Sequence, residues 1–131
     1  MAGNRVVVHY RDGRLVKGST ADFLPAREVF HVTPEGGGPP VSVRHGDLKA
    51  LFFVRELQGS SATVARNDFD AAKPVVGRKI RVVFADGEVM VGTTQGYQPG
   101  RSGFFVVPAN SQTNTERCFV IAASTREVQL L

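Results

Sequence analysis

The chain opens on an alternation. Val6, Val8 and Tyr10 point one way while Val7, His9 and Arg11 point the other, and period-2 alternation of β-branched and aromatic residues predicts a half-buried strand. The same pattern returns at Ile80, Val82 and Phe84. Both stretches run into Asp-Gly, at Asp12–Gly13 and Asp86–Gly87, which predicts a hairpin through a type I′ turn with positive φ at both central positions. The second strands, Leu15–Thr20 and Val89–Thr94, carry Gly18 and Gly92. A glycine inside a strand marks a bulge or bend where another backbone comes close. Third strands follow at 28–33 and 103–107, with Phe30 and Val32, or Phe104 and Val106, pointing inward. Pro34 and Pro108 end them, because proline cannot donate to a ladder. Fourth strands are expected at 41–44 and 118–122 and fifth strands at 51–55 and 128–131. HGDLK and ASTRE between them suit single 3₁₀ turns. No stretch patterns as a helix of three turns, so the fold class is all-β.

The two sets of strands are one text written twice. Residues 6–34 and 80–108 align without a gap at an offset of 74, with ten identities in 29 positions. Among them are Asp12/Asp86, Gly18/Gly92, Thr20/Thr94, Pro25/Pro99, Arg27/Arg101 and Phe30/Phe104. Three extra residues after Pro108 change the offset to 77, at which Val43/Val120 and Leu51/Val128 match in character. This predicts one unit at 1–57, a connector at 58–79 and a second unit at 80–131.

That strand order, with its Asp-Gly turn, bent glycine-bearing strand and one-turn helix before the last strand, resembles the SH3-like small barrel, most closely its Sm-like form. The chain also resembles an uncharacterised bacterial family whose repeats read F-x-D-G-E, G-x-T-x-G-Y-x-P, G-F-F-x-x-P and N-x-x-R-x-F-V. Here these are Phe84–Glu88, Gly92–Pro99, Gly103–Pro108 and Asn114–Val120. The resemblance implies two tandem five-stranded SH3-like (Sm-like) small barrels. Sm-like proteins that bind RNA place an aspartate and an asparagine between strands two and three, and Arg-Gly near strand five. This chain has Asp22, but no asparagine between Asp22 and Phe30 or between Gly96 and Phe104, and no Arg-Gly near Leu51 or Val128. The scaffold is kept while the nucleotide-reading residues are missing.

Composition narrows the functions further. The chain has 131 residues, 16 Lys+Arg and 12 Asp+Glu, a formal charge of +4, and 42% apolar residues. Recurrent Val, Ile, Leu and Phe with modest net charge predict a folded chain. No apolar run approaches the ~20 residues of a membrane span, and the apolar start is too short for a secretory signal. The single cysteine, Cys118, forms no intramolecular disulfide and fits a reducing cytoplasm. Half of the excess positive charge lies on the connector, at Arg66, Lys73, Arg78 and Lys79, where a nucleic-acid surface would need a clustered stripe. The Arg-x-x-x-Arg motif of cyclic-dinucleotide receptors is missing.

Candidate chemistry is sparse. His9, His31 and His45 have no second ligand at i+2 or i+4, so no metal site is expected; His9 and His31 alternate outward and face solvent. Cys118 heads a buried strand without an adjacent base. Asp12 and Asp86, with Gly13 and Gly87, are turn residues rather than catalytic carboxylates. No acid–base pair, nucleophile or phosphate loop emerges, so the chain reads as non-enzymatic and without cofactor. The candidate binding residues are Tyr97, Arg101, Asn110, Asn114 and Arg117 on the loops of the second unit, and Arg27, the counterpart of Arg101. Phe105 and Val107 join them, because an outward apolar pair needs a cover: the other unit, the connector or a partner. The expected function is a binding or adaptor module presenting a composite surface to another protein or to itself. The alternative is nucleic-acid or nucleotide binding.

Overall fold

A computed structural model of the protein describes residues 4–25, 27–55, 77–95, 97, 102–109 and 115–131. These residues form ten strands and two one-turn 3₁₀ segments: β1 (Asn4–Tyr10), β2 (Leu15–Thr20), β3 (Val29–Pro34), β4 (Val41–Arg44), a turn at His45–Asp47, β5 (Leu48–Val54), β6 (Arg78–Phe84), β7 (Val89–Thr94), β8 (Gly103–Pro108), β9 (Thr115–Ile121), a turn at Ala122–Ser124, and β10 (Thr125–Leu130). The protein is all-β, and among the described residues no helix is long and apolar enough to cross a membrane. Most of the expected connector lies outside the described residues, and its last two positions, Arg78 and Lys79, already belong to β6.

All strands join one antiparallel sheet in the order β10-β6-β7-β8-β9-β5-β1-β2-β3-β4. The two halves pair strand for strand in the same register. Val6↔Gly18 in β1·β2 answers to Ile80↔Gly92 in β6·β7, and Gly18↔Pro34 answers to Gly92↔Pro108. Phe30↔Val43 answers to Phe104↔Val120, and Val8↔Leu51 to Val82↔Val128. These are the offsets of 74 and 77 read from the sequence. The hinge of each half is its strand glycine. A Cβ on Gly18 would lie 2.1 Å from the Thr33 carbonyl oxygen, and one on Gly92 2.1 Å from that of Val107. Only a residue without Cβ lets β2 and β7 cross so close to the next strand. Thr20 and Thr94 fasten the same crossing by donating to the carbonyls of His31 and Phe105, each at 2.8 Å.

The hairpin geometry differs from expectation. Only Gly13 and Gly87 take positive φ (94° and 95°), while Asp12 and Asp86 do not. The Gly13 N–H donates to the Tyr10 carbonyl (3.1 Å) and the Tyr10 N–H to the Arg14 carbonyl (3.0 Å). This is a three-residue loop with a glycine bulge rather than a two-residue type I′ turn. Each aspartate accepts the backbone N–H two residues on, Arg14 or Glu88, at 3.0 Å, which explains its place before the glycine.

Strand ends differ too. β9 starts at Thr115 instead of 118, so Cys118 sits mid-strand, and β5 and β10 begin at Leu48 and Thr125, directly after their 3₁₀ turns. The reason for the longer β9 is tertiary: it has a ladder partner on both sides, β8 and β5, whereas its counterpart β4 has only β3 among the described residues and stops at four residues.

Candidate functional site

The joint between the halves is the ladder β5·β9, with Ala50↔Val120, Leu51↔Phe119, Phe52↔Cys118 and Phe53↔Arg117 opposite one another. Both strands are apolar on both faces, and alternation sends successive side chains to different cores. Leu51 and Phe53 join Val6, Val8, Phe30 and Val32 in the first core, together with Phe119 and Ile121 from the second half. Cys118 and Val120 join Ile80, Val82, Phe84 and Phe104 in the second, together with Ala50 from the first half. Each half therefore completes the other's interior.

One end of this seam is aromatic. The Phe23 ring lies 5.2 Å from Phe119, 5.6 Å from Phe53 and 6.3 Å from Phe105, mostly edge to face. Phe105 lies 5.0 Å from Phe119. The Arg117 guanidinium rests over the rings of Phe53 (4.4 Å) and Phe105 (4.8 Å), a cation–π contact that also shields them from water. The outward Phe105 thus finds its cover in the first half of its own chain. His45 is buried against Phe23, Phe30 and Phe119, and its Nε2 has no hydrogen-bond partner. Burial holds its pKa below the ordinary histidine value.

The other end is ionic. Lys49 Nζ, largely buried, lies 2.8 Å from both Asp86 and Glu88, the turn residues of the second half. Burial alone would lower the Lys49 pKa, but hydrogen bonds to the two carboxylates outweigh it and raise it. Lys49 and the Glu88 backbone N–H together hold the Asp86 carboxyl below its usual range. Ser124 donates to the Leu48 carbonyl (2.6 Å), tying the second 3₁₀ turn to the first half. His9 does not face solvent as expected. Its ring packs 4.2 Å from Phe52, and burial, reinforced by Lys49, lowers its pKa to about 4. Burial pushes the Cys118 thiol pKa far up, so it stays protonated and behaves as a small apolar side chain.

A third polar group lies in the β2–β3 loop. Asp22 accepts the His31 backbone N–H (2.9 Å) and pairs with His31 Nδ1 (2.7 Å), and these bonds, the side-chain one foremost, lower the Asp22 pKa. His31 is exposed, as its outward alternation predicts, and its ring is engaged by Asp22.

Of the expected binding residues, the structure brings Phe105 and Arg117 together at the seam. Val107, on the same strand, is 49% exposed. Tyr97 packs edge-on to Phe104 (4.8 Å) and lines an open groove of about 290 Å³ with Gly77, Arg78, Thr94, Gln95 and Leu130. Arg27 lies exposed in the β2–β3 loop, its N–H donating to the Leu24 carbonyl (3.0 Å). Arg101, Asn110 and Asn114 fall outside the described residues, as do Arg66 and Lys73 of the connector. Sequence reasoning missed Phe23, Phe53, Lys49 and Phe119. A signal was present for two of them: Phe119 alternates against the inward Cys118 and Val120, and Phe53 follows Phe52, so both strands are apolar on both faces. Among the described residues no group of three or more metal-ligating side chains converges.

Neither a curated protein nor a solved structure matches the chain. A family model matches residues 2–131, nearly the whole length, and the chain belongs to that family, a family of unknown function (DUF6982).

Proposed function

We propose that the protein is a non-catalytic binding module: two fused small barrels of the Sm-like, SH3-like kind that act as one rigid body and capture a protein partner by strand addition. The matched registers and the glycine crossings support the barrel reading. The observation that carries the functional reading is the open sheet. Among the described residues, neither β4 at one end nor β10 at the other has a ladder partner on its outer side. An edge strand presents a row of backbone donors and acceptors that an extended segment satisfies. Here both edges end in exposed apolar residues, Val41 and Leu131. The seam supports rigidity, since each core borrows side chains from the other half.

The test is affinity capture with full-length protein in which one edge is blocked. Val128→Pro removes an outward-facing backbone donor from β10, and Ser42→Pro does the same on β4. Leu15→Ser, exposed in a hairpin away from both ends, is the control. A partner retained by wild type and Leu15→Ser but lost from one edge variant supports the reading. Equal recovery from all four proteins overturns it.

A further inference from the structure

The chain carries one groove twice and has filled only the first copy, which shows what such a groove accepts. In the first half, Phe23 and Phe53 are closed over by β9 of the second. The Phe119 ring lies 5.2 Å from that of Phe23, and the Arg117 guanidinium rests 4.4 Å from the Phe53 ring. At the offsets of 74 and 77 their counterparts are Tyr97 and Leu130, and these line the open groove of about 290 Å³ beside β10. Burial records the difference. Leu51 and Phe53 are 0% and 4% exposed, while their counterparts Val128 and Leu130 are only partly buried against the second core. Val54 is 7% exposed and its counterpart Leu131 58%.

We infer that this groove takes an extended segment of a partner protein with an acidic residue and, two positions later, an aromatic one, laid antiparallel along β10. This rests on the strand-addition reading above and specifies the partner's chemistry.

The spacing comes from the seam register. Leu51 faces Phe119 and Phe53 faces Arg117, so the same register sets the partner's ring opposite Val128 and its charged residue opposite Leu130. Side chains two apart on a strand share a face, here the face of Tyr97 and Leu130. The backbone agrees. The Leu131 N–H donates to the Lys79 carbonyl at 2.9 Å, so alternation turns the N–H groups of Val128 and Leu130 outward, towards a strand laid alongside.

The sign comes from the groove itself. Where the first half has the neutral Asn4, the second has Arg78, which lines the groove with no carboxylate among the other lining residues. Glu127 stands on the opposite face of β10 from Leu130. A cation in the place of Arg117 would meet Arg78, whereas a carboxylate there pairs with it. The place of the ring is apolar, since Tyr97 and Val128 both pack against the second core. A single added strand supplies the ring of Phe119 but not that of Phe105 from β8, so capture is looser than the seam and reversible.

The probe is a fluorescein-labelled peptide of threonines flanking Glu-Thr-Phe-Thr-Val, titrated with full-length protein and followed by fluorescence anisotropy. Saturable binding is expected, weakened at least about tenfold when the peptide's Phe becomes Ala, because a buried ring is lost. Val128→Pro, which removes an outward donor, should abolish it. Replacing the peptide's Glu by Arg should weaken binding to wild type about fivefold, and Arg78→Glu should reverse that preference. Arg78 is exposed, so the reversal is read in a folded protein. No saturable binding up to about 1 mM overturns the inference, and so does equal binding of the Glu and Arg peptides. A partner captured through β10 by a segment without the acidic and aromatic pair removes this inference while leaving strand addition standing.

Discussion

Phe119 belongs to β9 but is buried in the core of the first half, with 2% of its surface exposed. Replacing it with alanine removes a ring that touches Phe23, His45 and Phe105 at centroid distances of 5.2, 5.9 and 5.0 Å. The pocket is walled by strands from both halves, so it cannot collapse without opening the β5·β9 ladder. A buried Phe→Ala change of this kind costs about 3–5 kcal/mol. For a chain of this length that corresponds to a fall in Tm on the order of 10–15 °C. Because the residue sits in one half and stabilises the other, calorimetry should show one cooperative transition moving as a whole. Phe105→Ala, at a half-buried position in the same cluster, should cost less, roughly 1–2 kcal/mol. If Phe119→Ala costs under about 1 kcal/mol, or splits unfolding so that only the transition of residues 77–131 moves, the shared interior is wrong.

Further outcomes follow from the same geometry. Gly18→Ala and Gly92→Ala each drive a methyl into a backbone carbonyl, and with no flexible atom to yield, each should cost at least about 3 kcal/mol by urea denaturation; a loss of a few tenths would mean the crossing strands are not this close. Stability should fall on acidification, because His9 has a pKa of about 4 in the folded protein against 6.5 unfolded. The unfolded chain therefore binds a proton first; the contribution is complete above about pH 6.5 and is lost as the pH drops towards 4. The loss is about 3 kcal/mol, seen as a falling urea midpoint and absent in His9→Phe. Below that window, protonation of Asp22 and Asp86, whose pKa values are depressed in the folded state, removes stability further.

Much of this was legible in the chain itself. Alternation at Val6–Tyr10 and Ile80–Phe84, Asp-Gly before each second strand, and glycine at 18 and 92 are local signals. They placed most strands and both glycine crossings, because side-chain period and turn chemistry act over a few residues. The offsets of 74 and 77 even carried the ladder registers, since copied strands with copied turns pair alike. What no local signal holds is which sheet edge meets which. The ladder β5·β9 joins residues more than sixty positions apart, and its existence lengthens β9, covers Phe105, buries His9 and draws Lys49 onto Asp86 and Glu88. That choice is made by the fit of two doubly apolar strands against two cores at once. Such an energy belongs to the assembled surfaces and to no segment alone, so only the tertiary structure could decide it.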